Sequence, residues 1–400
     1  MTNVIDVEKG PTAARGRGDT VRAAVMVAPG KMELQELPYP DHLEPGALIV
    51  KMEMSGICGT DKHAFKGEVT LYGGTESEQD MVFPCVHGHE NSGIVVEMNG
   101  EGRQIEYSGQ ALRVGDRVTN CPNVICGRCW YCRSVHAYPY CAEHQGVGMT
   151  YRSDRFPYIV GGWSEYMYLP PKAWVYRVPE HIPVELACLS ELFVVAALLD
   201  RGKELAACGG KGFHFGDTVV VQGAGPIGMM MVAKARILGA GKILVLDASD
   251  TKLGMAADFG ADTTIDVSGM SDAELVEAIR DQTEGRGADV VVETVGQPGV
   301  VRVGLEMLRR GGTYLETGNF ADTGEVALNV HRHIAAKNVL LYGNTNHPHD
   351  GYYRALEMMW RHRDRFPWER LITHRFGLEQ AQQALEKSLE PDALKVVFVP

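Results

Sequence analysis

The chain has 400 residues, 45% of them hydrophobic, nine cysteines and a net charge of −12. That length and apolar share supply two ordinary cores without disulfide staples, and the acidic balance argues against nucleic acid and anionic membrane as main partners, since both demand basic surface. The leading stretch MTNVIDVEKGPTAARGRGDT lacks a signal peptide's apolar core, and no window is continuously apolar for eighteen residues, which points to the reducing cytoplasm and to no membrane span.

In chain order, residues 1–20 read as a flexible N-terminal arm, and order begins at VRAAVMV. Residues 21–191 are short apolar runs broken by Gly, Pro and Asp, such as GALIVKMEMSGICG and NSGIVVEM, the texture of a β-rich unit with long loops. Inside it, at about 121–145, lies a cysteine-rich lobe. Residues 192–343 switch to apolar strands alternating with helical periodicity (DTVVVQG, PIGMMMVAKARILGA, KILVLDA, DVVVETVG). That alternation implies βαβ units and a doubly wound parallel sheet, hence an α/β protein. Residues 344–400 contain the helical LEQAQQALEKSL and a terminal strand in ALKVVFVP, and are expected to return to the first domain.

The lobe carries Cys126, Cys129 and Cys132 at intervals of three, with Cys141 nine residues further on. In a reducing compartment this spacing reads as a four-thiolate zinc site with no vacancy for substrate, and therefore structural. Gly127, Arg128 and the run Ser134–Pro139 suit a loop folded round a metal rather than a helix. Unligated loop cysteines are the alternative.

The cofactor motif is VVVQGAGPIGMMM. Gly223, Gly225 and Gly228, with Pro226 and Ile227 between them, form G-x-G-x-x-G directly after a strand and at the start of a helix. There a pyrophosphate can approach the backbone and sit on the helix N-terminus. The next strand ends in Asp247, twenty-four residues after the first glycine, where a carboxylate binds ribose hydroxyls and repels a 2′-phosphate; NAD is expected over NADP. Thr294, Val295, Thr317 and Gly318 end later strands of the same sheet and are expected to wall the nicotinamide half.

A second constellation lies in SGICGTDKHAF and CVHGHENSG, where Cys58, His89 and Glu90 offer a thiolate, an imidazole and a carboxylate. That mix suits zinc, although a buried cysteine and a satisfied turn histidine would look the same.

Taken together, GICGTD, GHENSG, CGRCWYC, GAGPIG, GADVVVETVG and KVVFV resemble the zinc-dependent medium-chain dehydrogenase/reductase family, the group of alcohol, sorbitol and threonine dehydrogenases, from Val21 to Pro400. The resemblance implies a GroES-like β-rich catalytic domain beside a Rossmann cofactor domain, two zinc ions per chain, NAD, a small-molecule alcohol or ketone substrate, and a homodimer or homotetramer. Cys58 and His89 match catalytic zinc ligands. Glu191 in ACLSELFVV matches the glutamate ligand of the sorbitol dehydrogenase-like branch; Cys188 falls three residues early, and Leu192 replaces the usual following proline. The lobe cysteines match the structural site with a last interval one residue longer than usual. Thr60 matches the hydroxyl that relays the alcohol proton, His63 a shuttle histidine, and Glu90 a carboxylate beside the metal. His87 reads as a loop residue, and Lys395 sits where members place a basic residue near the cofactor phosphates.

The expected reaction is hydride transfer between a polyol or secondary alcohol and NAD, with a zinc of three protein ligands stabilising the alkoxide. An aldehyde-handling, aromatic or primary alcohol dehydrogenase of the same family is the alternative. The polar segment KGEVTLYGGTESEQDMVFP is expected to form one wall of the substrate cleft, with Phe65, Tyr72 and Phe83 as aromatic candidates.

Overall fold

The computed structural model describes residues 19–99, 105–134, 140–206 and 211–400. Most of the 1–20 arm, residues 135–139 of the lobe and the ninth cysteine, Cys208, lie outside it.

The first domain is built on a seven-stranded sheet. Six strands run in the order Val175–Arg177, Arg117–Asn120, Glu90–Met98, Leu48–Gly56, Lys395–Phe398 and Ile372–Phe376, and Tyr166–Leu169 also pairs with Leu48–Gly56. Leu48–Gly56 is buried along nearly its whole length, with Lys51 exposed and Glu53 half-buried. A smaller sheet, Lys31–Pro38 with Thr20–Ala28 and Cys85–Val86, packs beside it. Trp163, Tyr168 and Phe398 are fully buried at the centre of this core. The chain's last strand pairs antiparallel with Leu48–Gly56, so residues from opposite ends of the sequence meet beside Cys58.

The second domain is a six-stranded, all-parallel sheet in the order Thr263–Asp266, Lys242–Asp247, Thr218–Gln222, Ala288–Glu293, Leu308–Glu316, Leu340–Gly343. Strand order reverses between Thr218–Gln222 and Ala288–Glu293, the switch point outside which open α/β sheets bind ligands.

Helix Val184–Val195 joins the domains and is buried from Leu186 to Val194. A helix that is apolar all round must be buried. A carboxylate in its middle, Glu191, must then find partners.

Two expectations change here. The lobe contains a five-residue helix, Trp130–Ser134, which carries Cys132, so the thiols are held partly by a helical turn and not by loop alone. The closing segment holds more than one helix and one strand: helix Gly351–Arg361 and strand Ile372–Phe376 precede helix Ala381–Ser388. Helix Gly351–Arg361 packs Tyr352, Leu356 and Met359 against the joining helix.

Candidate active site

Between the domains lies a cleft of about 540 Å³, with the glycine-rich loop on one side and Cys58, His89 and Glu191 on the other.

The glycine loop has a separate reason for each glycine. Gly223 adopts φ +96°, and a Cβ there would press on Thr294 and Val295 at 3.0 Å. Gly228 lets the helix pack close, since its Cβ would stand 2.0 Å from the Gly223 carbonyl. Gly225, the N-cap of helix Pro226–Leu238, has nothing within 4 Å of its Cβ position: the space is open where a phosphate would approach. Asp247 accepts the Ala224 N–H at 2.7 Å and the Ser249 N–H at 2.9 Å, so the carboxylate that would take ribose hydroxyls also braces the loop. Thr294 donates to the Gln222 carbonyl at 2.7 Å, and Val295, Thr317 and Gly318 line the cleft beside it.

Cys58 caps helix Gly59–Lys66, and its N–H donates to Asp61 at 2.8 Å. The same turn brings the Thr60 hydroxyl to 3.8 Å from the Cys58 sulfur and sets His63 one turn on, hydrogen-bonded to Glu68 with its ring 4.9 Å from Phe320. Asp61 is fully buried, with its other oxygen 3.1 Å from His87 Nδ1 and 3.9 Å from His89 Nδ1. Desolvation works to raise its pKa, but the two imidazoles and the Cys58 N–H outweigh it and hold the carboxyl below its usual range. For His89, burial works to lower the pKa, and the charges of Cys58, Asp61 and Glu191 overcome it and raise it.

Glu191 is 6% exposed, and its Oε1 lies 3.1 Å from His347 Nε2. Burial alone would raise its pKa; His347, His89 and Lys395 bring it below the usual value. Cys188 faces away from the cleft, donating its thiol to the Glu90 carbonyl at 3.2 Å.

The cleft can hold a zinc ion. A thiol, an imidazole and a carboxylate are a zinc donor set, and His89 Nδ1, buried without a hydrogen-bond partner, faces a carboxylate as metal-ligating histidines do. Among the described residues, however, the four lobe thiols form the group whose donor atoms all lie within 4.8 Å of one another. Cys126 Sγ also accepts the Arg128 and Cys129 N–H groups, and Cys141 Sγ the Cys126 N–H.

Two expectations are corrected, and a third, His87 as a loop residue, holds with its side chain buried. Lys395 does not reach the cofactor phosphates: it is 3% exposed, and its Nζ donates to both Glu90 oxygens at 2.7 Å and to the Ile57 carbonyl at 2.8 Å, which uses all three N–H bonds. Burial would strip its proton, yet the Glu90 carboxylate raises its pKa and keeps it charged. Lys62, Lys66 and Lys252 line the cleft together with Lys395 and are not tied to Glu90; burial and the nearby Lys395 bring Lys62 down to about 8. His87 is a fully buried core residue packed between Phe83 and Trp163, and it positions Asp61. Of the segment expected as the substrate wall, Lys66, Leu71 and Tyr72 line the cleft, whereas Phe65 and Phe83 pack against the first core.

Apart from Tyr72, the sequence reading missed the cleft's far wall, formed by Asn123, His144 and Asn346. Tyr72 accepts from Asn346 Nδ2 at 2.7 Å, Asn123 donates to Asn346 at 3.1 Å, and His144 stands edge-on to Tyr72 at 4.4 Å. Tyr72 and Asn346 both take positive φ, +55° and +70°. Strained backbone of this kind persists where surrounding structure over-determines it, and it clusters at functional sites.

A dinucleotide loop facing a zinc donor set across an interdomain cleft defines the chain as a two-domain dehydrogenase, and comparison with known proteins agrees. The family model for an alcohol dehydrogenase GroES-like domain matches residues 44–180, and that for a zinc-binding dehydrogenase matches residues 226–361. The chain is 32% identical to 5-exo-hydroxycamphor dehydrogenase of Pseudomonas putida, over 91% of this chain and 94% of that one. It is 31% identical to erythritol/L-threitol dehydrogenase of Mycolicibacterium smegmatis, over 96% and 98%. The structure of an alcohol dehydrogenase from Thermotoga maritima superposes with a TM-score of 0.84 at 29% identity, covering 96% of this chain and all of that one. The chain therefore belongs to the zinc-dependent medium-chain dehydrogenase/reductase family. It is an oxidoreductase acting on CH–OH groups, with zinc and a nicotinamide dinucleotide as cofactors. Among its described residues, no helix is long and apolar enough to cross a membrane.

Proposed function

We propose that the enzyme reversibly oxidises a polyol or secondary alcohol with NAD, and that Cys58, His89 and Glu191 hold the catalytic zinc while Cys126, Cys129, Cys132 and Cys141 hold a structural one. The observation that carries this reading is the opening of the Cys58, His89 and Glu191 side chains into the same cleft as Gly225 and Asp247. Zinc there would supply Lewis acidity, of the kind that lowers the pKa of a bound water from ~15.7 to about 7.

The chain's own groups do the rest. Thr60, beside Cys58, accepts the substrate hydroxyl's proton, and His63 and Glu68 at the cleft edge carry it toward solvent. Helix Pro226–Leu238 and its glycine loop seat the pyrophosphate, and Asp247 binds the adenosine ribose and disfavours a 2′-phosphate. Val295, Thr317 and Gly318 set the nicotinamide ring against the substrate carbon, so that hydride moves between positioned partners. Burial pushes the Glu90 carboxyl up while Lys395, donating to both its oxygens, opposes that shift, and the pair fixes Glu90 beside His89.

The polyol reading is supported by the far wall, where Tyr72, Asn123, His144 and Asn346 offer hydroxyl, amide and imidazole groups to further substrate hydroxyls. Erythritol/L-threitol dehydrogenase among the relatives points the same way. A second reading, a cyclic secondary alcohol, draws on Leu71, Met149 and Phe320 in the same cleft and on the hydroxycamphor dehydrogenase. A homodimer or homotetramer is supported by strand Leu340–Gly343, which ends its sheet with Leu341 47% exposed. A reducing, cytoplasmic setting is supported by eight free cysteines among the described residues.

The test is NADH formation by the zinc-loaded enzyme with polyols, cyclic secondary alcohols, aromatic primary alcohols and hydrated aldehydes, with NADP and chelated enzyme as controls. Turnover of polyols that needs NAD and zinc supports the proposal. Turnover confined to aldehydes or aromatic primary alcohols overturns it.

A further inference from the structure

One pair of titratable groups, Glu293 buried and Glu316 partly buried, has no part in this chemistry. Glu293 and Glu316 end neighbouring parallel strands and are register partners, so their carboxyls stand side by side beneath the loops 294–296 and 317–319. Glu293 is fully buried. Its Oε1 accepts the N–H groups of Val295 at 2.5 Å and Gly296 at 2.9 Å, and its Oε2 accepts Asn319 Nδ2 at 3.2 Å. Glu316 Oε1 accepts the N–H and the Nδ2 of the same Asn319, at 2.9 and 3.0 Å. Each carboxyl thus pins one loop, and both lean on one amide.

The packing has no slack, because a Cβ on Gly318 would stand 2.1 Å from Glu293 Oε2 and one on Gly296 would stand 2.5 Å from the Gly318 carbonyl. Glu316 Oε2 and Asn319 Oδ1 are buried without a hydrogen-bond partner, so the cluster is short of donors. From the adjoining strands, the Tyr314 phenol donates to Gln222 Oε1 at 3.1 Å and Gln222 Nε2 donates to the Val300 carbonyl at 3.0 Å; the charged group facing Glu293 is Glu316. Adjacent carboxylates, one of them fully buried, cannot both ionise cheaply.

We propose that Glu293 and Glu316 share one proton, and that the singly protonated pair is a positioning element that holds the 294–296 and 317–319 loops in their cofactor-binding arrangement. This rests on the reading that Val295, Thr317 and Gly318 receive the nicotinamide half. Burial, then the Glu316 charge, push the Glu293 carboxyl up to about 8. The raised value sets the sign: the proton is present below that pH and leaves to solvent as pH rises through it. A second negative charge then appears under the loops, and nicotinamide affinity falls. Phe320, next to Asn319, carries the displacement to the ring of His63, 4.9 Å away.

The experiment is equilibrium binding of NADH and of ADP-ribose, which lacks the nicotinamide, to the zinc-loaded full chain from about pH 6.5 to about 9.5. Wild type and Glu316→Gln are compared, since the amide replaces the shared proton as donor and cannot ionise. The ratio of wild-type to E316Q Kd for NADH is expected to rise by up to about tenfold per pH unit above ~8, with no such rise for ADP-ribose. Glu316→Ala, which lacks donor and acceptor alike, weakens NADH at every pH. A flat NADH ratio overturns the proposal. Should E316Q fail to fold, the wild-type affinity for NADH relative to ADP-ribose must still fall above that pH, and a constant value sinks the idea equally. If neither ligand binds, the dinucleotide reading fails and the proposal with it, an outcome distinct from pH-independent binding.

Discussion

The cysteine lobe and the interdomain cleft use similar donors in opposite ways. In the lobe four thiols come from sixteen consecutive residues and already lie within 4.8 Å of one another, around a short helix and a turn, and no position is left for substrate. In the cleft the proposed donors come from the cap of one helix, the residue just before a strand and the middle of another helix. Two of them have a charged partner behind, Asp61 near His89 and His347 on Glu191, and the neighbouring Glu90 is held by Lys395. A local site can close on its metal by itself; an open one has to be braced from outside so that a coordination position stays free.

This contrast can be broken or sharpened by substitution. The largest expected effect is Cys58→Ala, which should cut turnover by about 10³-fold or more, as loss of a several kcal/mol electrostatic contribution requires, while metal analysis finds the lobe zinc retained. Two zinc ions per chain in that variant would rule out the cleft as a metal site. Cys129→Ser should instead spare the chemistry at low temperature and destabilise the fold by about 3 kcal/mol or more, because structural zinc binding contributes folding free energy; thermal unfolding with and without chelator reads it. Lys395→Met leaves the Glu90 carboxylate buried and unpaired, at a cost of about 3 kcal/mol in unfolding free energy. The double variant with Glu90→Gln should recover most of that loss, and no recovery would mean that Lys395 does not act through Glu90. The smallest effect is Asp247→Asn, expected to raise KM for NAD by about tenfold, or about 1.4 kcal/mol, with kcat nearly unchanged. An equal fall in kcat would show that Asp247 matters to the loop's shape more than to ribose binding.

The local features were legible where one stretch of chain contains all the parts of a motif. The glycine loop, the strand ending in Asp247 and the four-thiol spacing need only near neighbours, and the change from short broken strands to βαβ alternation reports which faces are buried. The lobe's short helix was hidden because Gly127 and Arg128 read as turn. Helix Gly351–Arg361 was missed although its buried positions Tyr352, Ala355, Leu356 and Met359 keep helical spacing. Asp61 gave a signal, an acid three residues after Cys58, where a capping side chain reaches back to the N-cap N–H.

Sequence alone thus pointed to the β-rich and βαβ halves, the glycine loop and the four-thiol spacing, and through resemblance it put Cys58, His89 and Glu191 forward as zinc ligands. The tertiary structure decided how the charges pair. Lys395 is 305 residues from Glu90 in sequence, and His347 is 156 from Glu191; no spacing rule connects them. They meet because the chain's last strand returns to Leu48–Gly56 and the crossing segment after the parallel sheet passes over the joining helix. A buried charge must find a partner wherever the fold supplies one. The same reason places Tyr72, Asn123, His144 and Asn346 on one wall and sets Glu293 against Glu316: side-chain neighbours across strands and domains are fixed by register and packing, which local sequence pattern does not encode.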